Sequence, residues 1–283
     1  MAWGFVGPSV AIIVALTAFP AVWSVLLSFQ RWDGIGDARF TALRNYSRLV
    51  SDADFYAALR HTALFTVIYV PVSILGGLVV AALLAKPIAL GAFYRTAIFV
   101  PFVASAAATG ILANYIFDKN AGIINNALAG LGLARQGFLE DPRQAILVIV
   151  TIALWGGLGF NVVVYLAAMQ DVPPHLEEAA RLDGASSLQV FRHITFPHLR
   201  PVTVFVGVWQ TVVALQLFDI VYTTTRGGPI GATRTIVYYV YRNAFELADF
   251  GQGSAGAIVL FVVTMVLTAG MMAYSWRRNV EAF

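Results

Sequence analysis

Six long apolar stretches, at about 3–29, 62–85, 93–117, 144–168, 201–224 and 254–276, alternate with shorter polar segments along the 283-residue chain. A bilayer core of about 30 Å is crossed by about 20 apolar residues in helical conformation, so each stretch predicts a membrane span. Their central turns hold no Lys or Arg. Pro20, Pro71, Pro101 and many glycines lie inside them, as membrane helices tolerate better than soluble ones. The first stretch has the length of a span, with no basic leader and no small-residue cleavage site, and predicts an uncleaved helix. The chain starts abruptly at Met1, so its natural start is expected upstream.

The connections differ in character. Residues 30–61 are polar and predict a short amphipathic helix, and Lys86-Pro87 opens a tight turn. Residues 118–143 carry Gly122, Asn125, Asn126, Gly130 and Gly132 before Asp141-Pro142, and 225–253 is glycine-rich. No internal repeat is seen. The whole chain reads as one all-α, polytopic membrane domain.

Composition agrees with that pattern. Hydrophobic residues make up 59% and charged residues 12%, about half the charged share of a soluble domain; mean hydropathy is +0.76. The net charge of +3 comes from 16 Arg and 2 Lys that are scattered along the chain, so nucleic acid is not an expected partner. The absence of cysteine excludes disulfides, thiolate metal sites and Cys nucleophiles. His61, His175, His193 and His198 match no zinc spacing, and no metal is expected.

The most ordered loop runs from Pro173 to Pro197, PPHLEEAARLDGASSLQVFRHITFP. Pro173 or Pro174 suits a first helical turn, Glu177 and Glu178 sit near its positive end, and Gly184 suits a left-handed stop. Ser186 and Gln189 have capping-box spacing for a second short helix, which Pro197 is expected to end. The loop reads as a compact helical knob between two spans.

Glu178-Ala179-Ala180, then Gly184, Ile194 and Pro197 at the spacing EAA-x3-G-x9-I-x-x-P, resembles the EAA loop of binding-protein-dependent permeases, with Phe196 in place of a usual Leu. Phe218-Asp219, Tyr222, Thr225-Arg226-Gly227-Gly228-Pro229, Thr233, Tyr241 and Phe245 resemble the segment after the fifth span of MalF-like sugar permeases. Phe19-Pro20 and the Gly122, Asn125, Gly132 loop also fit. The resemblance implies a type I ABC importer permease (MetI-like) fold with six transmembrane helices in a bacterial inner membrane, both termini cytoplasmic. It implies that the knob is cytoplasmic and docks on an ATPase subunit through Glu178, Ala179, Ala180, Gly184, Ile194 and Pro197. The implied partners are a second, MalG-like permease chain, two ATP-binding subunits that hold ATP and Mg, and an extracytoplasmic substrate-binding protein. The implied cargo is a carbohydrate.

Charge bias does not supply the orientation. With the knob inside, that side holds seven Lys+Arg (Lys86, Arg95, Arg181, Arg192, Arg200, Arg277, Arg278) and the other side eleven, against the positive-inside tendency. The outer loops are also longer and richer in carboxylates.

In the fifth stretch, helical spacing puts Trp209, Val212, Gln216, Asp219 and Thr223 along one stripe, with Gln210 beside it. Polar groups inside a span face a partner helix or a wet cavity. The stripe predicts either a lining of the translocation path, through Trp209, Gln210, Gln216 and Asp219, or hydrogen bonding between helices. Asp219 also belongs to the turn signature, which favours a structural role for it. Gly156, Gly157 and Gly159 in the fourth stretch predict close helix approach, and Asn114, Asn161 and Tyr165 interhelical bonds.

Other chemistries fit poorly. Lys86 and Lys119, the only lysines, follow Ala and Asp, so there is no phosphate-binding Gly-Lys-Ser/Thr loop. Gly184-Ala185-Ser186-Ser187 and Gln252-Gly253-Ser254-Ala255-Gly256 only approach serine-hydrolase elbows, and no span contains a central histidine to serve as base. An ion-coupled secondary transporter would show intramembrane carboxylates and a repeat; Asp219 is the one candidate acid. A non-catalytic transport subunit is the expected role.

Overall fold

The computed structural model describes residues 2–86 and 89–277, with side chains from residue 6 onward. Pro87 of the expected Lys86-Pro87 turn, Met1 and Arg278 lie outside the described residues. Among the described residues the fold is all-helical apart from one two-rung ladder. Among them, five helices are long and apolar enough to cross a membrane: α1 (Val6–Ser28), α3 (Ala53–Leu84), α7 (Ala145–Gln170), α10 (Arg200–Thr224) and α13 (Phe250–Arg277).

The sixth predicted span is not straight. It consists of α4 (Gly91–Val103) and α5 (Ala106–Ile116), which meet at about 100°. Pro101 lacks the N–H that would bond a turn back, and Ala104 and Ser105 turn extended before the helix restarts. Pro71 sits inside α3 without any such break. Helix α10 is also interrupted. Regular helix stops at Leu215, and α11 (Asp219–Thr224) resumes after three irregular residues. The Thr235 hydroxyl donates to the Leu217 carbonyl at 2.9 Å, so one group released by the break is satisfied from outside the helix.

Boundaries move where charge and helicity coincide. Helix α3 begins at Ala53, nine residues before the apolar stretch, capped by Asp52, whose carboxylate accepts from the Asp54 amide at 2.8 Å. The polar segment before it holds the expected amphipathic helix, α2 (Arg44–Ser51), and a short antiparallel hairpin, β1 (Gln30–Arg31) with β2 (Arg39–Phe40), that the alternation of residues does not reveal. In the 118–143 segment, α6 (Ile123–Gly130) is organised by buried Asn125. Its amide nitrogen donates to the carbonyls of Asp118, Lys119 and Gln136, and its oxygen accepts from the Gln136 amide.

Helix α3 is the central post, since its successive turns enter three apolar clusters. Phe55 and Ala58 pack with Ile236, Tyr239 and Ala255. Phe65 and Tyr69 pack with Ile149, Ile152 and Val221. Leu78, Ala81 and Leu84 pack with Val162, Tyr165, Leu199 and Val206. The glycine-rich segment carries α12 (Ile236–Tyr241) and folds back beside these clusters. It is pinned to the start of α3: Thr62 Oγ1 accepts from the Ile236 amide at 2.9 Å, and Tyr239 donates to Asp52 at 2.6 Å. Burial, and after it the Asp52 carboxylate, pushes the Tyr239 phenol well up, so it stays a donor.

Candidate functional site

Two regions carry the residues singled out by sequence. The first is the knob. Helix α8 (Pro174–Leu182) has Pro174 in its first turn and ends in a Schellman arrangement: Gly184 takes φ +86°, its amide bonds to Arg181 O at 3.1 Å, and Ala185 N bonds to Ala180 O at 2.9 Å. Helix α9 (Ser187–Val190) follows with both halves of the expected capping box, Ser186 N to Gln189 Oε1 at 2.7 Å and Gln189 N to Ser186 Oγ at 3.4 Å.

The expected stop at Pro197 does not occur. A π turn over Phe191–Thr195 leads into Phe196–His198 and then α10. The wider turn before the proline absorbs the change in hydrogen bonding that its missing N–H imposes. Ser187 through Leu215 is therefore a nearly unbroken helical run, about 40 Å of rise, that joins the knob to the break at Gln216.

The six candidate coupling residues divide along this run. Glu178, Ala179 and Gly184 are exposed, and Ala180, Ile194 and Pro197 are half-buried. Glu177 is tied down, accepting from Thr195 Oγ1 at 3.0 Å and pairing with Arg181 at 3.4 Å. Among the described residues Glu178 has no ion pair. Leu182, one helical turn on, is 90% exposed, and Leu188 in α9 is 75% exposed. An unpaired carboxylate on a loop that also bares two leucines is a surface suited to a partner.

The second region is where the two helix breaks meet. A cleft of about 260 Å³ lies between them. Pro101, Phe102 and Ala104 of the first break form one wall, Gln216 to Ile220 of the second another, and Phe65 and Tyr69 of α3 with Gly156 and Gly157 of α7 complete it. Irregular backbone at membrane depth is sustained where it is buried in protein or lines a cavity. Discontinuous helices mark solute sites in many transporters.

The predicted stripe is divided by this geometry. Gln216 and Asp219 are exposed to the cleft. Trp209 stacks on Phe160 with centroids 5.4 Å apart and borders a separate apolar groove with Val208, Met272 and Trp276. Gln210 is only 2% exposed; its amide nitrogen donates to Asn161 Oδ1 at 2.5 Å and its oxygen accepts from Tyr69 at 3.0 Å. Asn161 in turn donates to Ser73 O at 3.0 Å. Gln210 thus joins α3, α7 and α10 and does not line the cleft, while Trp209, one residue earlier, faces elsewhere. The break at Gln216 ends the helical phase on which the stripe depended. The Asp219 carbonyl accepts from Thr223 Oγ1 at 2.7 Å within the first turn of α11, while its carboxylate makes no hydrogen bond or ion pair among the described residues.

Phe218, Tyr222 and Tyr241 gather instead into a ring cluster, with centroids 5.1 to 5.3 Å apart, and Tyr241 packs on Phe245 at 5.4 Å. The Thr225 and Thr233 hydroxyls bond each other at 2.6 Å across the Gly227-Gly228-Pro229 turn. Asn114 donates to Thr223 O at 2.9 Å, an interhelical bond as expected. Tyr165 is buried facing Thr203, without good hydrogen-bond geometry for its hydroxyl. Of the three glycines, Gly157 abuts the Tyr69 hydroxyl and Gly159 the backbone of Ile98 and Phe99, but Gly156 has no atom within 4 Å of where a side chain would start. The cleft residues of α4 and α5 have no signal in sequence beyond Pro101.

The pattern of one protein family, described as binding-protein-dependent transport system inner membrane component, matches residues 73–282. The lactose transport system permease protein LacF of Rhizobium radiobacter is 35% identical over 272 residues, 94% of this chain and 91% of that protein. A probable ABC transporter permease protein of Pyrococcus horikoshii is 31% identical over 276 residues, 96% and 94% of the two chains. Among solved structures, a chain of a bacterial ABC transporter involved in import of the acidic polysaccharide alginate shares the fold, with TM-score 0.87 at 21% identity, covering 98% of this chain and 95% of that one.

Proposed function

The chain belongs to the binding-protein-dependent transport system inner membrane component family, and from that premise we propose that it is the permease subunit of an ATP-binding-cassette importer for a carbohydrate. In this reading it pairs with a second, MalG-like permease chain, receives solute from an extracytoplasmic binding protein, and is driven by two separate ATPase subunits that hold ATP and Mg. The termini and the knob are cytoplasmic. The carbohydrate class rests on the likeness to the lactose permease and on a cleft that offers aromatic faces beside an amide and a carboxylate.

The observation that carries the coupling role is the helical run from Ser187 to Leu215. Closure of an ATPase against Glu178, Ala179 and the exposed leucines displaces the knob. The run transmits that displacement to Gln216–Phe218, where the helix is already broken and the cleft begins. The break is the compliant point, so motion there alters access to the cleft, while Leu199, Val206 and Gln210 keep the run packed on α3 and α7. Ala180, Gly184, Ile194 and Pro197 serve by shaping the knob and seating it on the run.

The test is Glu178→Arg and Gly184→Pro in the assembled importer. Proline cannot adopt the φ of +86° found at Gly184, and Glu178→Arg reverses the charge of the docking face. Each is expected to abolish solute-stimulated ATP hydrolysis and uptake while the chain remains in the membrane at normal amount. Unchanged uptake in both would overturn the coupling role.

A further inference from the structure

The cleft between the two helix breaks has a distinctive charge. Asp219 is the one carboxylate among its lining residues, and no Lys, Arg or His is among them. Asp219 and Gln216 make no side-chain hydrogen bond or ion pair with any described residue. The cations of the adjoining segment do not line the cleft. Arg234 and Arg242 pair with Asp54, and Arg226 lies over the Tyr222 ring at 5.8 Å, behind the lining residue Phe218. Phe65, Phe102, Ile152 and Ala153 make much of the remaining wall apolar.

We propose that this cleft selects by charge, admitting neutral or cationic polyhydroxylated solutes and rejecting phosphorylated, sulfonated or uronic ones, with Asp219 as the residue that sets the preference. The inference rests on the reading of the cleft as part of the solute path. A hydroxyl-rich neutral solute can donate to the free carboxylate and exchange bonds with the Gln216 amide, and charge-assisted bonds of this kind are the strong ones. An anion in the same place meets a like charge across a weakly polar medium, where repulsion is far larger than in water. No lining cation offsets it. The fold relative that carries an acidic polysaccharide shows that the architecture itself does not forbid anions; in this chain the discrimination resides in the lining.

The chain has no cysteine, so Val213→Cys, which replaces a cleft-lining side chain of α10, introduces a single reporter and leaves Gln216 and Asp219 intact. In the assembled importer, held in lipid nanodiscs, the thiol is labelled with a cationic trimethylammonium-ethyl and an anionic sulfonato-ethyl methanethiosulfonate. The ratio of the two rates is divided by that for a free thiol. The expected preference for the cation is about tenfold or more, and adding Asp219→Asn is expected to remove most of it. A ratio for Val213→Cys with Asp219 intact that equals that of a free thiol would overturn the proposal, because the assembled cleft would then have no net preference for a cation. A preference unchanged by Asp219→Asn would overturn the assignment to that residue. Labelling is then repeated with saturating neutral disaccharides and with their uronate counterparts. Slowing by a neutral sugar alone supports charge selection, and equal slowing by both kinds refutes it. A rate that no sugar changes refutes the solute-path reading itself, independently of the reagent ratio.

Discussion

Replacing Gly77 with alanine tests how closely α3 and α7 must approach. A Cβ at position 77 would lie 2.5 Å from Asn161 Cβ, whereas carbon atoms pack at about 3.5–4.0 Å. The helices must therefore separate by about 1 Å at their crossing. The bond from Asn161 to Ser73 O, now 3.0 Å, would stretch beyond useful geometry, and the Asn161–Gln210 bond would be strained with it. Overpacking of this kind costs about 1–3 kcal/mol, and interhelical hydrogen bonds in membranes contribute about 0.6 kcal/mol each, up to about 1.7. Alanine returns up to about 1 kcal/mol of helix propensity. The expected net loss is roughly 2 kcal/mol, about thirtyfold in the folding equilibrium at ~1.4 kcal/mol per decade. Equilibrium unfolding in mixed detergent micelles, followed by tryptophan emission, measures it. Gly270→Ala in α13 is the control, because no atom lies within 4 Å of the position its Cβ would take, and it is expected to be neutral or slightly stabilising. A Gly77→Ala protein as stable as wild type would show that the two helices do not need this approach, and the argument from the glycine would fail.

Gly184→Ala keeps the knob but places a side chain at φ +86°, a strain of about 1–2 kcal/mol; uptake is expected to fall severalfold with the chain still inserted, measured as transport per ATP hydrolysed. Glu177→Leu and Thr195→Val each remove the same 3.0 Å bond, so a double-mutant cycle on thermal stability should give a coupling energy of about 1 kcal/mol, and strict additivity would deny that the bond matters. Trp209→Ala should leave solute affinity nearly unchanged because Trp209 borders a different groove, while Gln216→Leu should weaken it at least several-fold; the opposite order in uptake kinetics would reinstate the continuous stripe. Asp54→Asn loosens partly exposed pairs to Arg234 and Arg242 and is expected to cost about 1 kcal/mol, diminishing in high salt.

Much of the architecture was legible because apolar length and local capping are properties of contiguous residues. Five of the six stretches, the Gly184 stop and the Ser186–Gln189 box could each be read within a few positions, while α3 starts nine residues ahead of its apolar stretch. What escaped depended on contacts between distant parts of the chain. Pro71 and Pro101 are the same residue in similar apolar surroundings, yet only Pro101 stands beside a break. The interruption at Gln216 follows no proline or glycine; the group that satisfies Leu217 comes from Thr235, eighteen residues on. Pro197 did not end its helix, because a π turn preceded it. Trp209 and Gln210 are neighbours in sequence, but one residue of helix is about 100° of rotation, and a candidate stripe cannot say which side the other helices occupy. The resemblance placed the coupling residues on one loop; their division into exposed and half-buried sets required coordinates.

The three glycines of α7 divide labour in a way that bears on how such a protein can diverge. A side chain at Gly159 would meet the backbone of Ile98 and Phe99 and push helices apart, and one at Gly157 would displace the Tyr69 hydroxyl. Gly156 lines the open cleft, and a Cβ there would meet no atom within 4 Å. Alanine or serine at that position would take room from the cleft while the scaffold stayed as it is. Descendants of this chain could therefore resize the cleft through a single codon without the loss of stability that usually accompanies a change in a packed helix.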